Sequence, residues 1–365
     1  MFSRDPNLGV VGGAEVQQSI LARLLAREGY RVSMISLDFG QPPRVELDGV
    51  TVHKAYRPDA GIPGLRFVHP RITGMWRAMR EVDADIYYQR SSAMLTAVVA
   101  EFCRHHGRRS IYAGASDIDF IPGRQQIRFR RDRWLFERGL ARVDRLVVQN
   151  RNQQRSCLEH YGRSSVLIPS CYELPANASP GRGDTVLWVG TVHRYKRPEL
   201  FLELARRLPH RRFVMVGGPG VDDEQRQSYF EGVRAAAAKL PNVEMTGFLP
   251  LERVEPYFDR ARVHINCSDY EGVPNTFLQA WARGVPVAAW VDIGASYDGE
   301  PLYRVVGGVE EAVEEIERMF GNPEYHRRAS ARSLAYFAAT HSPQEVMARY
   351  DALLRGLLEE PRAAA

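Results

Sequence analysis

The chain has 365 residues, of which 44% are hydrophobic and 25% charged, a composition typical of a soluble globular protein with two domains of ordinary size. Its net charge is +5, and no apolar run approaches the roughly 20 residues of a membrane span. We therefore predict a cytoplasmic protein without a signal peptide. The cysteines are scattered at no metal or disulfide spacing, which predicts reduced, buried thiols: Cys103, Cys157, Cys171 and Cys267.

In the first half of the chain, apolar patterns predict strands that alternate with helices. A helix is predicted over 14–28, before a stop at Gly29, and a strand over 31–37 follows it. Further strands are predicted at 85–89, 110–113, 145–148 and 165–168, with helices at 91–105, 133–141 and 151–160. This alternation predicts a parallel, doubly wound sheet.

The start of this first sheet is unusual. Only residues 1–8 precede the glycine-rich stretch 9–13, and they are too few and too polar for the buried strand that normally opens such a domain. We expect that the first strand is truncated, either by clipping or because the start codon lies inside it.

After a linker-like stretch at 169–184, a second alternation begins. Strands are predicted at 185–189, 213–216, 243–246, 263–266 and 285–289, with helices at 198–208, 224–239, 251–258, 275–283, 309–320, 323–340 and 343–359. The fold class is therefore α/β, with Rossmann-like domains at 1–172 and 180–342. Residues 343–365 are predicted as a helix that packs back towards the N-terminal domain, with a frayed tail. Two tandem domains of this kind predict a ligand cleft between them.

The stretch 271–280 (EGVPNTFLQA) carries the most informative pattern. Glu271 closes a strand-end loop, and a turn that includes Pro274 delivers Asn275 and Thr276 to the start of an apolar helix. Backbone N–H groups at a helix start suit a phosphate, and a neighbouring carboxylate can accept hydrogen bonds from sugar hydroxyls. The pattern indicates a nucleotide sugar, although an ordinary β-loop-α turn with Glu271 on the surface would look similar.

Two further loops are candidate phosphate sites. Gly12 and Gly13 open the first helix, which is either a close approach to a bound group or a plain tight turn. Gly190 begins a loop that carries Arg194, Lys196 and Arg197 before a helix that starts with proline. This second loop is either a basic loop or a cluster of cations for a diphosphate, with Lys196 as its flexible point charge.

Two Asp-x-Asp strings could suggest a divalent metal, but neither has companion ligands. The string at 83–85 is better explained by a solvated turn. The string at 117–119 follows a strand, so Asp117 could meet the acceptor or the donor sugar. We predict no metal and no resident cofactor.

The run 124–134 carries five arginines within its first ten residues, interleaved with Ile127 and Phe129 and followed by Trp134. A solvated helix face is the ordinary interpretation of such a run. The alternative is a peripheral contact with anionic lipid at the inner face of the membrane. No recognised nucleic-acid-binding module accompanies the charge, so we predict no nucleic-acid partner.

Four blocks, taken in order, resemble the retaining GT-B glycosyltransferases of family 4, also called group 1: 12–15 (GGAE), 145–150 (RLVVQN), 190–196 (GTVHRYK) and 271–280 (EGVPNTFLQA). The resemblance implies that the first glycine loop lies against the donor, that Lys196 neutralises the diphosphate and that Glu271 holds the transferred sugar. It also implies that Phe248 lies beside the nucleobase. An acceptor-side N-terminal domain and a donor-binding C-terminal domain would follow.

The chain departs from the family pattern in four places. Gln279 replaces a glutamate that usually grips the ribose, and Thr191 replaces an arginine for which Arg194 or Arg197 could substitute. The segment 115–117 lacks the histidine that many members carry in the N-terminal domain, and the first strand is expected to be truncated. The resemblance still implies metal-independent, retaining transfer of a hexosyl-type sugar from a UDP- or GDP-sugar to a glycan or lipid-linked acceptor, in cell-envelope or exopolysaccharide assembly. A nucleotide-sugar epimerase or hydrolase, or a non-catalytic nucleotide-sugar binder, are the alternatives.

Overall fold

A computed structural model of the chain describes residues 12–176, 183–220 and 224–361. It divides into two compact units: unit 1 contains residues 14–168 and the C-terminal stretch from Val346, and unit 2 contains residues 12–13 and 169–345. None of the helices in these ranges is long and apolar enough to cross a membrane. The expected truncation of the first strand concerns residues 1–11, which lie outside the described residues.

Unit 1 contains two sheets within its described residues. In the first sheet, β1 (Val32–Ser36) pairs in parallel with β3 (Val50–Lys54), and β3 pairs antiparallel with β2 (Arg44–Leu47). The second sheet is parallel, in the order β4 (Ile86–Arg90), β5 (Arg109–Ala113), β6 (Arg145–Val148) and β7 (Val166–Leu167).

The β2–β3 hairpin corrects the prediction of a purely parallel first sheet. Its turn carries Asp48 and Gly49 at positive φ, 51° and 77°. An Asp-Gly pair between short apolar runs favours such a hairpin, so the signal was present in the sequence. Because β2 is largely exposed, its weak hydrophobic pattern hid it.

Five helices complete the main part of unit 1: α1 (Gly13–Arg27), α2 (Thr73–Val82), α3 (Leu95–His106), α4 (Arg130–Leu140) and α5 (Arg151–Tyr161). Gly107 and Gly162 end α3 and α5 in the left-handed conformation, the usual glycine stop of a helix. Around α4 and α5, buried side chains from β5 and β6 form a core with the aromatic rings of Tyr112, Phe120 and Phe136.

Unit 2 is built on six parallel strands in the order β10-β9-β8-β11-β12-β15. Their bounds are β8 (Thr185–Val189), β9 (Arg212–Val216), β10 (Val243–Gly247), β11 (Ala261–Asn266), β12 (Val287–Ala289) and β15 (Arg304–Val305), with β13 (Ser296–Tyr297) and β14 (Glu300–Pro301) in a separate small hairpin. The chain builds one side of the sheet outward from β8 and then returns to build the other from β11. The switch between β8 and β11 is where ligands bind in doubly wound sheets.

The helices of the second half are α6 (Pro198–Arg207), α7 (Glu224–Ala237), α8 (Leu251–Asp259), α9 (Asn275–Trp281), α10 (Val309–Gly321), α11 (Pro323–Thr340) and α12 (Pro343–Glu359). Side chains of β8 alternate between two cores: Val186 and Trp188 enter one, and Leu187 enters the other. Helices therefore cover both faces of this sheet. Asp351, in the part of α12 that belongs to unit 1, accepts a 2.6 Å hydrogen bond from Tyr30 of the same unit.

Helix α9 is shorter than the predicted 275–283 and ends at Trp281. Gly284 adopts a left-handed conformation at φ 67°, and its N–H donates to the carbonyl of Trp281 at 3.0 Å. Four of its side chains, among them Phe277 and Trp281, are fully buried, and the helix is thereby fixed against the sheet.

The four cysteines are free and buried, as predicted. Burial raises the pKa of the Cys157 and Cys171 thiols to about 12. These thiols remain protonated at neutral pH and act as small apolar side chains.

Candidate active site

The loop after β8 places Lys196 at the carboxyl end of the unit 2 sheet. It begins at Gly190, whose N–H donates to β9 at 3.0 Å. A Cβ atom at Gly217 would lie 1.8 Å from the Gly190 carbonyl oxygen, so the close approach of these strand ends requires glycine. The segment Arg194–Lys196 then forms a short 3₁₀ turn before α6. Sequence reasoning anticipated the turn at Gly190 and missed Gly217.

The loop after β11 is tied to this first loop. The N–H of Asp269 donates to the carbonyl of Tyr195 at 2.8 Å. The rings of Tyr195 and Tyr270 stack, with centroids 4.9 Å apart and planes 12° from parallel. The two loops, which follow the strands on either side of the switch point, form one structural unit.

The tied loops bring Lys196 and Glu271 into direct contact, although 75 positions separate them in sequence. The Lys196 ammonium donates to Oε1 of Glu271, which also accepts from the Ser268 hydroxyl at 2.7 Å. Only 17% of the Lys196 side chain and 12% of the Glu271 side chain are exposed. Within the described residues, Oε2 of Glu271 accepts no hydrogen bond.

Lys196 stays protonated at neutral pH despite this burial. Burial opposes an ammonium charge, but the Glu271 carboxylate and the Tyr195 hydroxyl outweigh it and raise the pKa of Lys196 above its usual value. An ammonium has three N–H donors, of which Glu271 takes one. The pair therefore presents a protonated cation with donors to spare and a carboxylate with a free oxygen.

Gln279 lies one turn into α9 and is 4% exposed. Its Nε2 donates to Oε1 of Glu255 in α8 at 2.9 Å. This bond fixes the orientation of the amide, because the carboxylate accepts only from the nitrogen side. In the described part of the chain, Oε1 of Gln279 accepts no hydrogen bond, so this side chain offers an acceptor.

Glu255 is itself held by a buried cluster around Arg283. The Arg283 guanidinium donates to Glu255 and to Asp259, each at 2.7 Å, and to the Tyr172 hydroxyl at 3.0 Å. The side chain of Arg283 is 1% exposed. Sequence reasoning missed this cluster, since its members come from three separate segments of the chain.

The remaining predicted residues of unit 2 lie on the same strand-end loops. Phe248 follows the last residue of β10, and 54% of it is exposed. Pro274 is the residue before α9, and Asn275 and Thr276 form its partly exposed first turn. Their place at the end of β10 and β11 agrees with the predicted position of these side chains, whereas their contacts with a ligand stay predictions.

Arg194 has a different environment from Lys196. Its guanidinium packs 4.9 Å from the centroid of the Tyr229 ring in α7, and it lines a cavity of ≈ 1080 Å³ between α6 and α7. Arg197 pairs with Asp269 at 3.4 Å. Of the three cations in this loop, the structure brings only Lys196 to Glu271.

The remaining predicted residues lie at the start of the first helix and after β5. Gly13 is the first residue of α1 and Gly12 precedes it; both are exposed, and both are grouped with unit 2. Oδ1 of Asp117 accepts from Asn150 at 3.0 Å and from Gln153 at 2.9 Å, the two side chains that open α5. Asn150, the last residue of the 145–150 block, thus helps to hold the Asp117 carboxylate in place.

Asp119, the second aspartate of the Asp-x-Asp string at 117–119, has partners different from those of Asp117. Asp119 accepts backbone N–H bonds from Ala115 at 2.7 Å and Ser116 at 3.0 Å. Burial raises its pKa in spite of these bonds. Within the described residues, no three His, Cys, Asp or Glu side chains are grouped so that they could hold a metal ion. His264 is a core residue, and burial lowers its pKa to about 3.

This combination of two Rossmann-like units with strand-end loops that carry a lysine and a glutamate defines a GT-B glycosyltransferase fold. Sucrose-phosphate synthase from Thermosynechococcus elongatus has this fold with a TM-score of 0.76 at 18% identity, over 97% of this chain and 96% of that one. The Anabaena protein HepE, solved in complex with UDP and glucose, gives a TM-score of 0.70 at 14% identity, over 95% and 97% of the two chains.

Sequence comparison identifies the family. Residues 11–174 match the model described as Glycosyltransferase Family 4, and residues 183–322 match the model described as Glycosyl transferases group 1. The chain is a glycosyltransferase of the family 4 type. A D-inositol 3-phosphate glycosyltransferase from Geodermatophilus obscurus is 27% identical over 179 residues, which are 42% of this chain and 39% of that relative. The match therefore spans well under half of the relative's length.

Proposed function

We propose that this glycosyltransferase moves a hexosyl-type sugar from a nucleoside-diphosphate sugar to an acceptor hydroxyl with retention of anomeric configuration. The observation that carries the proposal is the contact between Lys196 and Glu271 at the switch point of the unit 2 sheet. One side chain supplies a protonated cation, and the other supplies a carboxylate oxygen without a partner in the described structure.

The proposed division of labour follows from charge. Negative charge develops on the departing diphosphate, and a preorganised ammonium stabilises it more in the transition state than in the bound donor. Lys196 takes this role with the N–H groups that Glu271 does not use. Oε2 of Glu271 accepts hydrogen bonds from hydroxyls of the transferred sugar. Gln279 then accepts from the ribose through Oε1, while Glu255 holds its amide in place.

The proposed step forms the new bond on the face from which the old one breaks. The bond from the anomeric carbon to the diphosphate oxygen breaks, and the acceptor oxygen bonds to that carbon. The acceptor proton passes to the departing phosphate oxygen, so no enzymatic nucleophile is required. We propose that this step is metal-independent, with Lys196 and backbone N–H groups meeting the charge, and that Asp117 serves the acceptor side.

UDP is the favoured nucleotide of the donor sugar in this proposal, with GDP as the second choice. The support is the likeness of fold to HepE, which was solved with UDP and glucose. The proposed acceptor is a glycan or a lipid-linked glycan of the cell envelope or of an exopolysaccharide. The proposed location is the cytoplasm, with peripheral contact at the inner face of the membrane.

A donor panel tests the proposal. The purified chain is incubated with UDP-, GDP- and ADP-sugars, with and without lipid and glycan acceptors, in the presence of excess chelator. Nucleotide release that depends on acceptor, and a product with the donor's anomeric configuration by NMR, would support it. Release without acceptor would instead indicate a hydrolase or epimerase, and binding without release would indicate a nucleotide-sugar binder.

A further inference from the structure

We propose that unit 1 docks on an anionic lipid bilayer through a surface formed by two segments, 61–72 and 124–138, here called the basic-apolar surface. The sequence pattern pointed only to the second segment and left open a solvated helix face. The structure adds the first segment, which connects β3 to α2, and places it against the second.

Contact between the two segments is direct. The guanidinium of Arg131, in the first turn of α4, lies 3.4 Å from the centroid of the Phe67 ring. Since an arginine over an aromatic face is a favourable contact, it links the two segments. The apolar residues of 61–72 and the arginines of 124–138 therefore belong to one surface of unit 1.

Large apolar side chains on this surface are exposed to an unusual degree. Five of them are more than half exposed: Ile62 (68%), Leu65 (64%), Val68 (54%), Phe129 (54%) and Trp134 (58%). Single exposed apolar residues need no explanation, but a group of this size on two adjoining segments indicates an interaction site.

The charge around these side chains selects the partner. The two segments carry eight arginines against two acidic residues, a formal net charge of +6, although the whole chain has only +5. One of the acids, Asp132, is paired with Arg131 at 2.8 Å. Arginines that alternate along the chain with exposed aromatic and aliphatic side chains match anionic headgroups above an apolar interior.

Other occupants fit less well. A second copy of the chain would set two strongly positive surfaces against each other, which is repulsive. A nucleic acid would meet the arginines, but it has no counterpart for aliphatic side chains such as Ile62, Leu65 and Val68. Charge complementarity and apolar exposure together favour the bilayer.

Vesicle co-sedimentation of the full chain tests the proposal without any need for glycosyl transfer. The probes are vesicles of phosphatidylcholine alone and of phosphatidylcholine with 30 mol% phosphatidylglycerol. We expect binding only to the anionic vesicles and its loss as NaCl is raised to 0.5 M. The double variant Arg128→Glu/Leu65→Ser should bind at least about tenfold more weakly, since it replaces one cation by an anion and removes one apolar contact from the surface.

A matched control makes the same two chemical changes elsewhere on unit 1. Arg155 and Leu158 lie on the exposed face of α5, and Leu158 is 63% exposed, close to the value of Leu65. The variant Arg155→Glu/Leu158→Ser should bind anionic vesicles like the unmodified chain, and circular dichroism should show both variants folded. Equal loss in the two variants, equal binding to neutral vesicles, or a self-association that Arg128→Glu/Leu65→Ser abolishes would each overturn the proposal. Because the readout is lipid binding, such a failure leaves the donor panel untouched.

Discussion

Unit 2 holds two cation–carboxylate clusters on either side of α9, and they differ in how completely their hydrogen bonds are satisfied. Around Arg283, the guanidinium donates to two carboxylates and one hydroxyl and is 1% exposed. In the other cluster, Lys196 has one carboxylate partner, and Oε2 of Glu271 accepts nothing within the described chain. The Arg283 cluster is saturated, whereas the Lys196 cluster keeps capacity for a ligand.

The difference separates a structural role from a binding role. When a buried charge has all its hydrogen bonds satisfied within the protein, removal of any one partner destabilises the fold. Such a charge has no free donor or acceptor for a ligand. A charge that keeps free donors or acceptors at a strand end can exchange partners when a ligand arrives. Gln279 combines a structural role with a binding role. Its amide nitrogen donates to Glu255 of the Arg283 cluster, whereas its amide oxygen accepts no hydrogen bond within the described chain.

The saturated cluster should respond most strongly to substitution. Arg283→Leu leaves the carboxylates of Glu255 and Asp259 without their cation in a buried site, so we expect unfolding to become easier by about 3–5 kcal/mol. Urea denaturation at neutral pH measures this change. The control is Arg206→Leu, which breaks an exposed pair with Glu203 on α6 and should change stability by no more than about 0.5 kcal/mol. Similar losses in the two variants would show that the buried contacts of Arg283 stabilise the fold no more than an exposed ion pair does.

The Lys196 cluster should respond in turnover instead. Lys196→Ala and Glu271→Ala should each reduce kcat/KM by about 10²-fold or more, because each removes a preorganised charge from the reacting donor. Steady-state release of nucleotide with acceptor present measures the effect. We expect a smaller loss of stability than for Arg283→Leu, since Ser268 still donates to Glu271 when Lys196 is removed.

Arg197→Ala is the matched control for Lys196→Ala. It removes a neighbouring cation of the same loop, one that pairs with Asp269 and not with Glu271. Turnover within a few-fold of the unmodified enzyme is expected. If Arg197→Ala were as damaging as Lys196→Ala, the loop's overall charge would matter and the contact with Glu271 would not.

The sequence predicted most of the fold because its elements are strongly periodic and well capped. The six-strand sheet of unit 2 needed only β15 to be added, and α5, α6 and α11 begin where their capping residues predict. The sequence prediction missed both strands of the β2–β3 hairpin, helix α2 and the strands β13 to β15. The strand β2 is largely exposed and β13 to β15 have two residues each, so their hydrophobic signal is too small to separate them from loops. The strand β3 and helix α2 do carry buried side chains, and their patterns were overlooked.

Site prediction from the sequence followed the motifs and stopped where contacts are long-range. Lys196 and Glu271 could be paired because both follow parallel strands at the same end of a sheet. The bond from Gln279 to Glu255 could not be foreseen, since it depends on how α8 packs beside α9. The contact between Phe67 and Arg131 could not be foreseen either, because the two residues lie far apart in the sequence.

Gln279 allows the smallest and most specific change. Gln279→Glu restores the carboxylate typical of the family, but it faces Glu255 and loses the donor that Glu255 accepts. We expect a stability loss of about 1–3 kcal/mol, the range for leaving a buried polar group without its partner. Thermal unfolding measures it.

The exchange variant Gln279→Glu/Glu255→Gln separates charge repulsion from the loss of the ribose contact. It keeps one amide and one carboxylate in the pair, so Gln at position 255 can donate to Glu at position 279 and much of the lost stability should return. In isothermal titration, the exchange variant should bind UDP at least as tightly as the unmodified chain, because a carboxylate oxygen now faces the ribose. Restored stability with UDP binding more than tenfold weaker would mean that the side chain at 279 serves the fold and does not meet the nucleotide.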